Sequence, residues 1–152
     1  MKTSTSRKVR TARIADLPAV VKLDAQLTGE SKTQYWREVF AHFLKDSNCI
    51  ALAIEGEGGV EGYLFGEVRA FEFGSSECGW IVALGVHPES ERKGCASALL
   101  NQARECFQTL GVTSLRTMVQ RTDVPFLSFF RNHGFVGGPF VQLELELENS
   151  EA

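Results

Sequence analysis

The sequence contains no apolar run that is long enough to cross a membrane. A membrane-spanning helix needs about 20 consecutive apolar residues, and the nearly all-apolar stretch at residues 79–86 is much shorter. The N-terminal segment MKTSTSRKVR is basic but leads into no apolar core, which a secretory signal would require. We therefore expect a cytoplasmic protein with no membrane partner.

Metal-binding cysteine motifs are also absent. The four cysteines, Cys49, Cys78, Cys95 and Cys106, form no CxxC pair, and no cluster of histidines accompanies them. Zinc sites that can be identified from a sequence usually show such close spacing. We therefore expect reduced, mostly buried thiols and no metal ion.

The chain lacks a dominant basic patch. Its formal net charge is −3, and its isoelectric point is about 5.6. Because nucleic-acid-binding domains usually carry a strongly basic face, we expect no nucleic-acid partner. The few clustered positive charges are local, so any anionic ligand should be small.

The apolar content and pattern of the chain suit one folded domain. Hydrophobic residues make up 43% of the 152 residues, which is enough for a core of normal size. We predict a single domain over residues 1–152, with residues 1–7 frayed. The apolar pattern predicts strands at residues 9–14, 49–55, 60–69, 79–86, 113–120 and 140–148, and helices at 17–28, 32–45, 95–110 and 124–133, with Asp16 and Asp123 as N-caps.

This order of elements predicts an α/β domain on a mixed sheet. The strands at 79–86 and 113–120 are separated by a helix, and such a crossover makes its two strands parallel. The strands at 49–55 and 60–69 are joined by the turn EGEGG, which indicates an antiparallel hairpin.

The stretch from Gly79 to Leu110 carries the clearest indication of ligand binding. An apolar strand leads into a basic loop around Gly94 and then into an amphipathic helix. Glycine lets an anion approach the backbone closely, and the first N–H groups of a helix can bind that anion. The loop matches neither GxxxxGK[ST] nor GxGxxG, so by itself it is equally typical of an ordinary turn.

Three motifs make this stretch more specific: LxVxP from Leu84 to Pro88, ERKGCASALL from Glu91, and FFRNHGF from Phe129 to Phe135. Together they resemble the GNAT superfamily of acetyl-CoA-dependent N-acetyltransferases, whose cofactor loop follows the pattern [QR]xxGx[GA]. The resemblance implies a GNAT-like mixed, mostly antiparallel sheet with a central parallel strand pair and flanking helices. It also implies direct transfer of an acetyl group from acetyl-CoA, the co-substrate, to an amine in a ternary complex.

The resemblance assigns roles to individual residues. Leu84, Gly85 and Val86 would form a strand end with a β-bulge that holds the pantetheine arm, and the N–H of Val86 would polarise the thioester carbonyl. Asp123 stands where the family often has an Asn that contacts the cofactor arm. Phe130, also a predicted cofactor contact, stands where many members have the Tyr that protonates the leaving thiolate. The pyrophosphate loop would comprise Arg92, Lys93, Gly94, Cys95, Ala96 and Ser97.

The proton chemistry stays open at the level of sequence. Phe130 has no proton to give, so water or another group would protonate the thiolate, or the thiolate would leave unprotonated. An amine must be neutral to attack, and Glu67 and Glu77 are the candidate general bases, although carboxylates near strand ends are more often simply solvated. Glu91 replaces the Gln or Arg of the family pattern, and we expect its side chain to point away from the phosphates.

The acceptor would be a small-molecule amine or an amine of a peptide or protein. Carboxylates among aromatic rings would suit a cationic amine, although core packing is the commoner role of an aromatic stripe. The residues with this character are Glu30, Tyr35, Trp36, Phe71, Glu72 and Phe73. The last strand could support a homodimer. One alternative function is a non-catalytic acyl-CoA-binding module that senses the cofactor, and the main feature in its favour is Phe130. Another alternative is a nucleotide-binding regulator that uses the same loop.

Overall fold

The computed structural model describes residues 7–148, and the chain divides after Met118 into two compact units. The predicted single domain over residues 1–152 stays a prediction. The predicted frayed segment, residues 1–7, lies outside the described residues except for Arg7. The side chain of Arg7 is held in place, because its guanidinium pairs with the carboxylate of Glu61.

Over residues 7–118, the first unit contains five strands and three α-helices. They are β1 (Lys8–Thr11), α1 (Leu17–Thr28), α2 (Thr33–Phe43), β2 (Cys49–Gly56), β3 (Gly59–Arg69), β4 (Cys78–Val86), α3 (Cys95–Thr109) and β5 (Leu115–Arg116). Short 3₁₀ turns at Ile14–Asp16, Glu72–Gly74 and Pro88–Lys93 connect them. The predicted helices and the three middle strands therefore form close to their predicted positions.

The strands form one sheet in the order β1-β2-β3-β4-β5. The first four strands are antiparallel to their neighbours, whereas β4 and β5 are parallel, with Gly79 opposite Leu115 and Trp80 opposite Arg116. The helix α3 makes the crossover between this parallel pair. The predicted fold class, a mixed and mostly antiparallel sheet with flanking helices and one parallel pair, is therefore confirmed.

Helices pack on both faces of this sheet. On one face, Trp36, Phe40 and Phe43 of α2 pack against Tyr63 and Phe65 of β3 in one buried core. The ring of Phe65 is 5.3 Å from that of Phe40, centroid to centroid. Burying each such ring contributes about 1.5–3 kcal/mol, so the apolar stripe of α2 fixes the helix on the sheet.

The helix α3 covers the other face. The ring of Phe107 lies so close to Gly66 and Gly79 that an added Cβ at either glycine would be 2.7 Å from it. Alternate residues of a strand point to opposite faces, so Gly66 faces α3 while its neighbour Phe65 faces α2.

The bulge of β4 is not where the family resemblance puts it. Phe65 lies opposite Ala83 and Gly66 lies opposite Ile81, which leaves Val82 as the extra residue. The pairing is regular at Gly85, opposite Tyr63. The predicted bulge at the strand end is therefore wrong, because the glycine there provides room for the Tyr63 ring and not for an inserted residue.

Asp16 is at the N-cap position of α1, as the sequence pattern predicts, but its side chain does not cap the helix. Its side chain makes no cap hydrogen bond and instead accepts two from Arg10, at 2.7 and 2.9 Å, and one from the N–H of Arg13, at 2.8 Å. The hydrogen bonds from Arg10 hold the pKa of Asp16 below its usual value. The strand predicted to run to Ile14 therefore ends at Thr11, because the chain turns to form this ion pair.

Two predicted strands at the C-terminal side are wrong in extent or absent. The strand predicted at residues 113–120 is only Leu115–Arg116. Residues 140–148 form no strand, and Leu143, Leu145 and Leu147 are 81–88% exposed. Alternation assigns side chains to two faces, but a strand also needs a neighbour for its N–H and C=O groups.

Between residues 119 and 148, the second unit contains one helix, α4 (Val124–Asn132). Asp123 is its N-cap, as predicted, and accepts a hydrogen bond from the N–H of Phe126 at 3.2 Å. Phe130 is buried and packs against Phe126, Phe129 and Phe135, with ring centroids 4.9–5.2 Å away. This small aromatic cluster anchors the helix within its own unit.

Candidate active site

The C-terminal half of β4 has one edge without a paired strand. Pairing with β5 ends at Trp80, and the hydroxyl of Thr117 donates to the carbonyl of Ile81 at 3.0 Å. Within residues 7–148, no strand pairs with this edge beyond that point. We call this edge, at residues 82–86, the open edge of β4.

The backbone groups of Leu84 and Val86 face the open edge. The N–H of His87 donates to the carbonyl of Glu61 on β3 at 2.7 Å. In an antiparallel pair, successive residues face the partner strand and face away in turn. Gly85 therefore hydrogen-bonds toward β3, and its two neighbours present their N–H and C=O groups on the other side.

The open edge leads through a short turn into the Gly94 loop, residues 92–97. Gly94 adopts a left-handed conformation with φ of 77°, and no atom lies within 4 Å of the position that a Cβ would occupy. The carbonyl of Gly94 accepts the N–H of Ala98 at 2.9 Å, so the first turn of α3 begins at this loop. Arg92 and Lys93 are exposed beside it. Space, helix N–H groups and positive charge thus fit a pyrophosphate.

Cys95 contributes packing and not a reactive thiol. Its side chain is fully buried, and its Sγ is 3.8 Å from the carboxylate of Glu61. Burial is the main cause that raises the pKa of Cys95, and Glu61 raises it further. Glu91 is exposed.

A buried polar group lies over Gly85 on the face covered by α1 and α2. A Cβ on Gly85 would be 2.5 Å from the hydroxyl oxygen of Tyr63, so this hydroxyl lies directly against the strand. Burial is the main cause that raises the pKa of Tyr63, and the carboxylate of Asp24 raises it further. Tyr63 therefore keeps its proton at neutral pH.

Asp24 of α1 is the centre of this group. It is only 6% exposed and accepts a hydrogen bond from the indole N–H of Trp36 at 3.0 Å. The Nζ of Lys32 is 3.3 Å from the same carboxylate oxygen. The sequence pattern did not indicate Asp24 or Tyr63 as site residues. The one available signal was that Asp24 is an acidic residue within the apolar stripe of α1.

The two predicted general bases lie elsewhere along the sheet. Glu67 is opposite Trp80, five residues before Gly85 on β4, or about 16 Å at the usual strand rise. Its carboxylate is 2.9 Å from the Nε of Arg69 and 3.4 Å from the Nε2 of His42. Glu77 is exposed and precedes β4, eight residues before Gly85, a span of about 25 Å in extended chain.

The predicted acceptor residues do not form one cluster. Trp36 is buried in the core, whereas Tyr35 is half exposed and packs edge-on against it at 5.3 Å. Phe71 and Phe73 are 84% and 86% exposed and both have positive φ. Asp123 and Phe130 belong to the second unit, and their predicted contact with the cofactor arm stays a prediction.

Comparisons with solved structures support the fold. The aminoglycoside N-acetyltransferase AAC(6')-Iy in complex with CoA has a TM-score of 0.85 at 13% identity, covering 96% of this chain and 98% of that one. An aminoglycoside 6'-N-acetyltransferase, AAC(6')-IG from Acinetobacter haemolyticus, has a TM-score of 0.77 at 20% identity, with coverages of 93% and 99%. A transcriptional regulator from Bacillus halodurans C-125 has a TM-score of 0.79 at 18% identity, with coverages of 93% and 100%. At these identities the likeness shows the fold alone.

The family comparison is more specific than the structural one. No curated protein matches the chain in sequence. Within residues 7–148, no helix is long and apolar enough to span a membrane. Residues 17–135, which include both the open edge of β4 and the Gly94 loop, match the acetyltransferase (GNAT) family. Since this match covers most of its length, the chain belongs to the acetyltransferase (GNAT) family and is an enzyme of that class.

Proposed function

We propose that the chain transfers an acetyl group from acetyl-CoA directly to an amine acceptor while both substrates are bound. The observation that carries this proposal is the open edge of β4, where Leu84 and Val86 present backbone groups just before the Gly94 loop. CoA has a pantetheine arm joined to a pyrophosphate, and the chain offers a backbone edge and an anion-binding loop in the same succession.

The strand end would hold and activate the donor. Acetyl-CoA supplies the acetyl group as a thioester, which is reactive toward an amine. Leu84, Gly85 and Val86 would hold the arm, with the N–H of Val86 directed at the carbonyl oxygen. Because pairing of β4 with β3 fixes this N–H in advance, it stabilises the developing negative charge without reorganising.

The Gly94 loop would hold the pyrophosphate. The N–H groups at the start of α3 and the exposed charges of Arg92 and Lys93 supply hydrogen bonds and positive potential. Cys95 would take part through its backbone, since its side chain is buried. The residues that would line this subsite are Arg92, Lys93, Gly94, Cys95, Ala96 and Ser97.

The acceptor would be a cationic amine that binds beside Tyr63 and Asp24. A buried carboxylate next to aromatic rings favours a positively charged ligand. The ammonium of Lys32 pairs with Asp24 at 3.3 Å, and a cationic acceptor would pair with the same carboxylate. Both aminoglycoside acetyltransferases that share the fold act on molecules with amino groups, which agrees with this acceptor class.

Tyr63 and Asp24 would also handle the proton that the amine loses. The hydroxyl oxygen of Tyr63 lies against Gly85, and Asp24 is close enough to raise its pKa. The hydroxyl oxygen would accept the amine proton as its own proton passes to Asp24. The C–N bond would form as the thioester C–S bond breaks, and CoA would leave as a thiolate that takes its proton from water. We favour this pair over the predicted bases, because Glu67 on β3 and Glu77 just before β4 both lie farther from Gly85.

The test is a thiol-release assay with acetyl-CoA and a panel of cationic, neutral and acidic amines. We expect turnover with cationic amines and a loss of kcat of about 100-fold or more in Tyr63→Phe and in Asp24→Asn. Asparagine can still accept the hydrogen bond from Trp36, so folding should be kept. Glu38→Gln, the same carboxylate-to-amide change at an exposed position of α2, is the matched control and should retain activity.

Calorimetric binding of acetyl-CoA separates the enzyme from the sensing alternative. Tight binding with no turnover of any amine would replace the proposal with a non-catalytic acyl-CoA-binding module. Turnover that survives in both Tyr63→Phe and Asp24→Asn would keep the enzyme but remove these residues from the reaction.

A further inference from the structure

A second cluster of polar side chains lies where the end of α2 meets β2 and β3. His42 is in the last turn of α2, Asp46 is in the following turn, and Cys49 begins β2. One possible ligand atom from each of these three residues lies within 4.8 Å of the other two. A nitrogen, an oxygen and a sulfur atom, each a possible metal ligand, therefore lie close together.

Glu67 of β3 lies beside this cluster, next to His42. It is the residue directly opposite Cys49 in the β2–β3 pair, so both side chains point to the same face of the sheet. The Nε2 of His42 is 3.4 Å from an oxygen of Glu67 and 3.7 Å from the Sγ of Cys49.

We propose that His42, Asp46, Cys49 and Glu67 form a binding site for a Zn²⁺ ion. Zinc–ligand bonds of about 2.0–2.3 Å in a tetrahedron separate neighbouring ligand atoms by about 3.3–3.7 Å. The Nε2 of His42 is 3.4 Å from the oxygen of Glu67 and 3.7 Å from the Sγ of Cys49, and both distances are within this range. Asp46 and Glu67 would both move toward the ion on binding, since of the four residues only His42, Asp46 and Cys49 have ligand atoms that all lie within 4.8 Å of one another.

Neighbouring groups hold both carboxylates in position. The N–H of Asn48 donates to one oxygen of Asp46 at 2.8 Å, and the Nε of Arg69 donates to one oxygen of Glu67 at 2.9 Å. Each carboxylate keeps its second oxygen for the ion. Outer hydrogen bonds of this kind orient metal ligands.

The donor set selects the kind of metal. Calcium and magnesium prefer oxygen ligands only, whereas an imidazole and a thiolate with carboxylates suit zinc. The bound ion would tie α2, which carries Trp36, to the β2–β3 hairpin.

This inference departs from the sequence prediction of no metal ion, and the reason is topological. The ligands come from a helix end, a turn and two strands, and β2–β3 pairing brings Glu67 to the other three. The site does not depend on the proposed acetyl transfer, so each can fail without the other.

The test uses the chelator-treated, reduced full chain titrated with ZnCl₂ against a chromophoric competitor. We expect one high-affinity Zn²⁺ per chain and an increase in Tm of several degrees. Titration with CoCl₂ should give tetrahedral cobalt absorption with a thiolate charge-transfer band. Cys49→Ser should remove that band and weaken zinc binding by about 100-fold or more.

Two further variants make the result specific. Glu67→Gln should weaken zinc binding while the charge-transfer band persists with residual metal, since the thiolate remains. Cys106→Ser removes a half-buried thiol on α3 and should bind zinc as the unchanged chain does. Absence of stoichiometric zinc binding, or equal effects of Cys49→Ser and Cys106→Ser, would overturn the proposal.

Discussion

Replacing Gly85 by alanine should force the ring of Tyr63 out of its place. The new Cβ would lie 2.5 Å from the hydroxyl oxygen of Tyr63 and 2.6 Å from its Cζ, whereas non-bonded carbon atoms normally stay about 3.5 Å apart. The ring must therefore move by about 1 Å. Trp36 limits this movement, since its ring packs edge-on against Tyr63 at 5.1 Å.

The expected destabilisation follows from this overpacking. Inserting a methyl group into a well-packed core typically costs about 1–3 kcal/mol, and each kcal/mol lowers Tm by about 2–4 °C in a chain of this size. We expect Gly85→Ala to lower Tm by about 2–12 °C. If the proposed reaction is correct, displacement of Tyr63 should also reduce acetyl transfer.

Urea unfolding followed by tryptophan fluorescence measures the loss of free energy of unfolding, and thermal unfolding of the same variant measures Tm. Gly58→Ala is the matched control, because no atom lies within 4 Å of its added Cβ, and it should leave stability equal or slightly higher. The same Gly85→Ala change in a Tyr63→Leu background should be less destabilising by about 1 kcal/mol or more, since the ring is gone.

Two results would refute the reasoning. One is a Gly85→Ala variant as stable as Gly58→Ala. The other is strict additivity of Gly85→Ala and Tyr63→Leu, which would mean that the Tyr63 ring does not confine this position.

Three other changes test separate parts of the structure. The double change Arg92→Gln and Lys93→Gln should raise KM for acetyl-CoA about 10-fold with little change in kcat, because it removes ground-state attraction for phosphate; an unchanged KM would contradict the assigned loop. Asp16→Asn should lower the free energy of unfolding by about 1.5–3 kcal/mol at pH 7, since it removes the carboxylate that accepts two hydrogen bonds from Arg10 and leaves Arg10 with Glu55 alone. The pKa of Asp16 is lowered in the folded state, so this difference should shrink as pH falls below about 4, and a constant difference in urea titrations would contradict the ion pair. Phe40→Ala should cost about 3–5 kcal/mol, because this ring is fully buried, and a cost below 1 kcal/mol would be incompatible with that burial.

The helices were predictable because their information is local. Apolar residues at helical spacing define the buried stripe of α2, and the structure buries Trp36, Phe40 and Phe43 as this spacing predicts. The strand prediction at residues 140–148 failed for the converse reason. Its alternation of Leu and Glu is equally local, but a strand exists only where another strand pairs with it.

In the candidate site too, features local in sequence could be predicted, whereas contacts between distant segments could not. The Gly94 loop is contiguous in sequence, so its glycine, its basic residues and the following helix could be identified together. Asp24 and Tyr63 lie on α1 and β3, and they become neighbours only when α1 packs on the sheet. The cluster around His42 escaped the cysteine-spacing argument because it combines a single cysteine with His42 and Asp46, without a second cysteine. Pairing of β2 with β3 then brings Glu67 beside it.

The sequence by itself determined the family, the order of the elements from β1 to α4 and the loop suited to a pyrophosphate, because each depends on residues that are adjacent or periodically spaced. Only the tertiary structure decided what surrounds Gly85. Strand register sets Tyr63 opposite that glycine, and helix packing buries Asp24 beside Trp36. Contacts between distant segments arise from pairing and packing across the whole unit, and no local pattern in the chain encodes them.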